Sequence, residues 1–185
     1  MKTWIALLRG INVGGHNRLP MKSLSQILEA AGCEHVKTYI QSGNVVFRAE
    51  IKSAARFGEE IGQAIEKEHG FSPAILLIPA DELERAIASN PYPEATSEPK
   101  TLHLSFLEHE PGEDCISAAK TLLLKSESFT VNGNLLYLHA PDGIGRSKFA
   151  GGVERALQVK MTGRNWRTVM KLEELAATLM VRAVL

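Results

Sequence analysis

Cysteine is scarce in this chain, and its scarcity excludes the most. Cys33 and Cys115 lie far apart, outside any C-x-x-C or metal-ligand spacing, so neither a disulfide framework nor a thiolate metal site is written here. Reduced thiols are the expectation. Long apolar runs are missing too: none approaches the ~20 residues of a membrane span. The run after Lys2 is broken by Arg9 short of the ~7–15 apolar residues of a signal-peptide core. The expectation is a soluble cytoplasmic protein with no membrane partner.

Catalytic signatures are equally thin. The six histidines, His16, His35, His69, His103, His109 and His139, are scattered without an H-x-x-x-H pair or a neighbouring cysteine, and no G-x-S-x-G elbow occurs. Glu59-Glu60 and Glu173-Glu174 are adjacent on expected helices, so their carboxylates diverge into water. G-x-G-x-x-G is absent, which argues against a dinucleotide fold. Aromatic residues make up 6% of the chain, and VVFR at 45–48 lacks the stacking signature of an RNA-recognition sheet. These gaps leave the catalytic residues unassigned and point to neither a metal nor a cofactor.

What is present begins with a core. The 185 residues are 44% hydrophobic, enough for one large domain or two small ones. The formal net charge is zero, yet the charges are segregated. Residues 91–145 hold three Lys/Arg against eight Asp/Glu, residues 146–171 hold seven against Glu154 alone, and residues 1–28 carry Lys2, Arg9, Arg18 and Lys22 with no acid. Two basic segments converging on an anion explain this pattern, as does a solvated charged face.

The periodicity reads as a repeated unit. Trp4 to Arg9 is a buried strand, and Leu24, Ile27, Leu28 and Ala31 mark a helix closed by Gly32. Val36 to Ile40 and Val45 to Phe47 flank the turn Gln41-Ser42-Gly43-Asn44. Phe57, Ile61, Ala64 and Ile65 give a second helix, and Ala74 to Ile78 a last strand. A helix from about Asp81 to Ser89 trails this β-α-β-β-α-β half, which spans 1–89. NPYPEATSEPK, residues 90–100, reads as a linker. The order then returns within 101–185: a strand Thr101 to Leu107, a helix Cys115 to Leu124, a hairpin around Asn132-Gly133-Asn134, and a stripe Phe149, Val153, Ala156, Leu157. A strand from Val159 to Thr162 and a terminal helix with Trp166, Val169, Leu172, Ala176 and Leu179 close the chain. The expectation is an α+β chain of two duplicated ferredoxin-like sandwiches plus a C-terminal helix.

Three loops combine glycine with hydrogen-bonding side chains. GINVGGHN, residues 10–17, places Gly10 and Gly15 at the spacing of a phosphate-binding loop, but His16 and Asn17 stand where the lysine and hydroxyl belong. Leu19-Pro20 then intervene, so the following helix is expected not to abut the glycines, and a nucleotide triphosphatase is disfavoured. DGIGRSK, residues 142–148, brings Arg146, Ser147 and Lys148 to a helix start, a setting suited to phosphate or carboxylate. TGRNWRT, residues 162–168, also opens a helix.

LLRGINVGGHNRLPM, YIQSGNVVF and TGRNWRTVMKL together closely resemble a bacterial family known as domain of unknown function 1697. The resemblance covers nearly the whole chain. The family's signature matches here Arg9 to Gly15, Gln41 to Asn44, and Thr162 with Arg164 to Trp166 and Thr168. It implies two ferredoxin-like subdomains and carries no established activity. Members of the family often have another small residue where Gly163 stands, a change expected to matter little.

The functional expectation is a binding protein. Arg9, Asn12, Gly14, Gly15, His16, Gln41 and Asn44 from the first half are expected to meet Arg146, Ser147, Lys148, Arg164 and Asn165 around one electropositive cleft for a phosphorylated small molecule or nucleic acid. Arg9 cannot shed its charge, so it needs an anion, water or carbonyl oxygens at its strand end. The alternative is a structural or protein-interaction module whose polar motifs lock the subdomains together. A hydrolase or transferase using His16 is the third possibility. The sequence leaves the oligomeric state open.

Overall fold

The computed structural model describes residues 1–181. The chain forms β1 (Lys2–Leu8), α1 (Met21–Ala30), β2 (Glu34–Tyr39), β3 (Asn44–Ala49), α2 (Ala54–His69), β4 (Ile75–Pro79) and α3 (Ala80–Ala88). It continues through β5 (Leu102–Leu107), α4 (Glu113–Lys120), β6 (Ser128–Asn132), β7 (Leu135–His139), α5 (Lys148–Leu157), β8 (Met161–Asn165) and α6 (Trp166–Val181). The strands make two four-stranded sheets, ordered β2-β3-β1-β4 and β6-β7-β5-β8. Every pairing is antiparallel. Two compact units result, one of Met1–Arg85 with the chain from Lys171 onward, the other Ala86–Met170.

In the first unit β1 is central, and its unbroken apolar run from Trp4 to Leu8 is buried on both faces. Trp4, Ala6 and Leu8 pack with Val45 and Phe47 of β3 against Leu24, Ile27 and Leu28 of α1 and Ile61 and Ile65 of α2. Each fully buried side chain of this kind contributes roughly 1.5–3 kcal/mol. α2 starts where Ser53 Oγ accepts the Arg56 N–H and ends at Gly70, whose left-handed φ of 78° lets its N–H return to the Glu66 carbonyl. α1, by contrast, follows Pro20 with no side-chain cap and no acid in its first turn.

The second unit repeats the arrangement with β5 in the centre. Leu107, Leu136 and Leu138 pack with Ala119 of α4 and Phe149, Val153 and Leu157 of α5, and the Phe129 ring packs against that of Phe149 with centroids 4.5 Å apart and planes tilted by 42°. Two main-chain contacts recur at matching places. Leu8 N–H donates to the Gly43 carbonyl at 2.8 Å, as Leu107 N–H does to Asn134 at 2.8 Å; Arg9 N–H donates to Ala74 at 2.9 Å, as Glu108 N–H does to Lys160 at 3.0 Å.

Some boundaries depart from the sequence reading. The last strand covers Met161–Asn165 rather than Val159 to Thr162, because β5 pairs along its length with Thr162, Gly163, Arg164 and Asn165. The helix expected over Cys115 to Leu124 starts at Glu113, where two acids meet the helix N-terminus, and stops at Lys120. Within residues 90–100, Pro93–Ser97 winds into a short 3-10 helix.

Candidate functional site

The RGINVGG loop and the QSGN turn meet at one end of the first sheet, where β1 finishes and β3 begins. Asn12 joins them. Its Nδ2 donates to the Leu19 carbonyl at 2.9 Å and to the Gln41 carbonyl at 2.7 Å, and its Oδ1 accepts the Leu19 N–H at 2.9 Å. Asn17 adds a second tie, donating to the Gly10 carbonyl at 3.0 Å. Both asparagines adopt left-handed φ angles, near 54° and 50°, a region that asparagine tolerates better than most residues.

The turn is set with equal care. Asn44 is fully buried, and its Nδ2 donates to the Tyr39 carbonyl and to Ser42 Oγ. Gly43 has no substitute: a Cβ there would lie 2.6 Å from Leu8 Cβ and 2.8 Å from Ile11 Cδ1, at a φ of +73°. Ile40 also sits at a left-handed φ of 48° with its side chain 52% exposed. For a β-branched residue this is local strain.

Between loop and turn lies an open groove of about 430 Å³, lined by Asn12, Gly15, Arg18, Leu19, Pro20 and Gln41. Asn12 folds the loop back toward Leu19, so that Gly15 and Pro20, the residue that precedes α1, line the same open space. The groove also contains a cation the motif reading passed over. Arg18 is exposed and makes no ion pair or hydrogen bond among the described residues; its position in a segment devoid of acids was the available signal.

The remaining candidates of this unit are placed as follows. Arg9 leaves β1 exposed, with its main-chain N–H on Ala74. Gly14 and His16 belong to a tight turn in which the His16 N–H donates to Val13 at 3.0 Å, and the His16 side chain is exposed.

In the second unit, Arg146, Ser147 and Lys148 follow β7 while Arg164 and Asn165 finish β8, and both strands end beside the start of β5. Ser147 is buried and caps α5, its Oγ accepting the Ala150 N–H at 2.9 Å. Asn165 caps α6 in the same way, accepting the Thr168 N–H at 3.0 Å. Arg146 and Lys148 are exposed. Arg164 is half-buried, donates to the Gly163 carbonyl at 2.8 Å, and burial pushes its pKa down to about 10. Gly163 is tighter than expected, since a Cβ there would lie 2.5 Å from Ser105 Oγ, so a larger residue requires that hydroxyl to rotate. Among the described residues no three His, Cys, Asp or Glu side chains are grouped to hold a metal ion, and no helix is long and apolar enough to cross a membrane. Cys33 and Cys115 are unbonded, and burial pushes the Cys33 thiol up to about 12.

These features define an α+β protein with two four-stranded antiparallel sheets, six α-helices among the described residues, and a polar loop cluster at one end of the first sheet. The chain belongs to the family described as "Protein of unknown function (DUF1697)", which it matches over residues 1–137. The third motif, TGRNWRTVMKL, lies beyond the matched stretch. Among solved structures it is similar to the conserved bacterial protein SP0830 from Streptococcus pneumoniae, with a TM-score of 0.73 and 24% identity over 95% of this chain and 98% of that one. That likeness speaks to the fold. No curated protein matches the chain significantly.

Proposed function

We propose that the groove at the end of the first sheet binds an anionic ligand, a phosphorylated small molecule, held by Arg18, Gln41 and the main chain around Gly15 and the start of α1. One observation carries the reading. Asn12 commits both polar atoms of its side chain to holding the loop, and the groove it shapes is lined by Arg18, which makes no ion pair or hydrogen bond among the described residues, and by Pro20, which precedes α1 without a side-chain cap. An arginine beside an uncapped helix start favours phosphate or carboxylate. Isothermal titration with inorganic phosphate, pyrophosphate and a short single-stranded RNA tests it. Pyrophosphate is expected to bind, and Arg18→Ala to weaken it by ~1.5–3 kcal/mol, the range for hydrogen bonds to charged groups, with an unchanged melting temperature. Binding of RNA alone would move the proposal from small molecule to nucleic acid, and no binding by any of the three would refute it.

A second reading has its own support. Asn12, Asn44, Ser147 and Asn165 all hold loops, turns or helix ends, which favours a structural or protein-interaction role for the motifs. We further read each half as a ferredoxin-like unit and the two as a duplication; the matching strand orders and the paired contacts of Leu8 with Leu107 and Arg9 with Glu108 support this. A reducing, cytoplasmic setting accords with two unbonded cysteines.

A further inference from the structure

Sequence spacing hides one pair of side chains with the makings of a nucleophile and its base. Ser23 lies in the first turn of α1 and His69 is the last residue of α2, 46 positions later, yet Ser23 Oγ and His69 Nε2 are 2.7 Å apart. The contact is partly buried, with the His69 side chain 20% exposed. Glu68 Oε2 stands 3.5 Å from the hydroxyl and 3.9 Å from the same imidazole nitrogen. Because the first hydrogen bond of α1 runs from Leu24 N–H to Pro20, the N–H groups of Met21, Lys22 and Ser23 are left unused by the helix.

We propose that Ser23 and His69 form a nucleophile and general base for acyl transfer from small activated esters. The inference stands on this pair; it draws on the same first-turn N–H groups as the proposed anion site but does not require an anion to bind there. Ser23 Oγ attacks the ester carbonyl carbon, and its proton passes to His69 Nε2. The carbonyl π pair moves onto oxygen, where the free N–H groups of the first turn stabilise it. The Glu68 carboxylate offsets the positive charge on the imidazole. Collapse of the tetrahedral species expels the alkoxide, which takes the proton from His69 and leaves as the alcohol. Water, deprotonated by the same nitrogen, then releases the acid and returns Ser23.

Labelling of the full chain with a fluorophosphonate probe tests this. The serine oxygen displaces fluoride from phosphorus, and the expected result is a single adduct on Ser23, located by sequencing the tryptic peptide of residues 23–37. Ser23→Ala should abolish it, and His69→Gln should slow it by about 10²-fold or more, the scale of general-base catalysis. Hydrolysis of p-nitrophenyl acetate should fall in parallel. If Ser23→Ala melts early, Ser23→Cys replaces it: the introduced thiol should be alkylated faster than Cys115, and His69→Gln should remove the excess. No adduct in the unmodified chain, or an adduct that survives Ser23→Ala, overturns the proposal and leaves the pair as a tie between α1 and α2.

Discussion

At the scale of single residues, the end of the first sheet is defined by backbone conformations more than by charge. Gly43 combines a left-handed φ with contact distances that admit no Cβ. Gly43→Ala should therefore destabilise the protein by ~2–4 kcal/mol, adding left-handed strain to overpacking, and urea denaturation measures it; a loss under ~1 kcal/mol would show that Leu8 and Ile11 yield more easily than their burial implies. Ile40 presents the reverse case, since its side chain is exposed and its backbone strained. Ile40→Asn should raise stability by ~0.5–1 kcal/mol, because asparagine tolerates the left-handed region. A lower denaturation midpoint for this variant would mean that the exposed isoleucine makes contacts worth more than the strain.

Among the elements, legibility followed local pattern. β1, β3, α1 and α2 could be read because Trp4 to Leu8, Val45 to Phe47, and the stripes Leu24, Ile27, Leu28 and Phe57, Ile61, Ala64, Ile65 each carry a period that burial enforces. β8 was misplaced because Gly163, Arg164 and Asn165 carry no apolar alternation. It is an edge strand, specified by its register with β5, and its last residue doubles as the cap of α6. The site was legible in part. Glycine, asparagine and arginine marked the loops, but the 29-residue separation of Asn12 and Gln41 and the 46-residue separation of Ser23 and His69 leave no trace in spacing. On β5, burial holds the His103 imidazole below its ordinary pKa of 6.5. As pH falls from about 7, the unfolded chain therefore takes up this proton before the folded one, and stability drops. Urea denaturation at intervals between pH 7 and 5 should give a flatter loss for His103→Gln than for the parent chain, whereas equal slopes would mean that His103 does not contribute.

On the scale of the whole molecule, zero net charge conceals an acid-free first segment of 28 residues and a basic stretch from 146 to 171. The first segment contributes Arg18 to the groove, the positive charge on which the proposed anion site rests. The groove is open to solvent, so binding there should weaken with ionic strength as screening shortens the reach of the charge. The most direct measurement is a titration of the isotope-labelled full chain with pyrophosphate, followed by amide chemical-shift changes. The expected result is saturable shifts concentrated on Gly14 to Lys22 and on Gln41 and Ser42, lost in Arg18→Ala. Shifts absent at millimolar ligand, or shifts in the groove that persist unchanged in Arg18→Ala, would contradict an anion site built on that arginine.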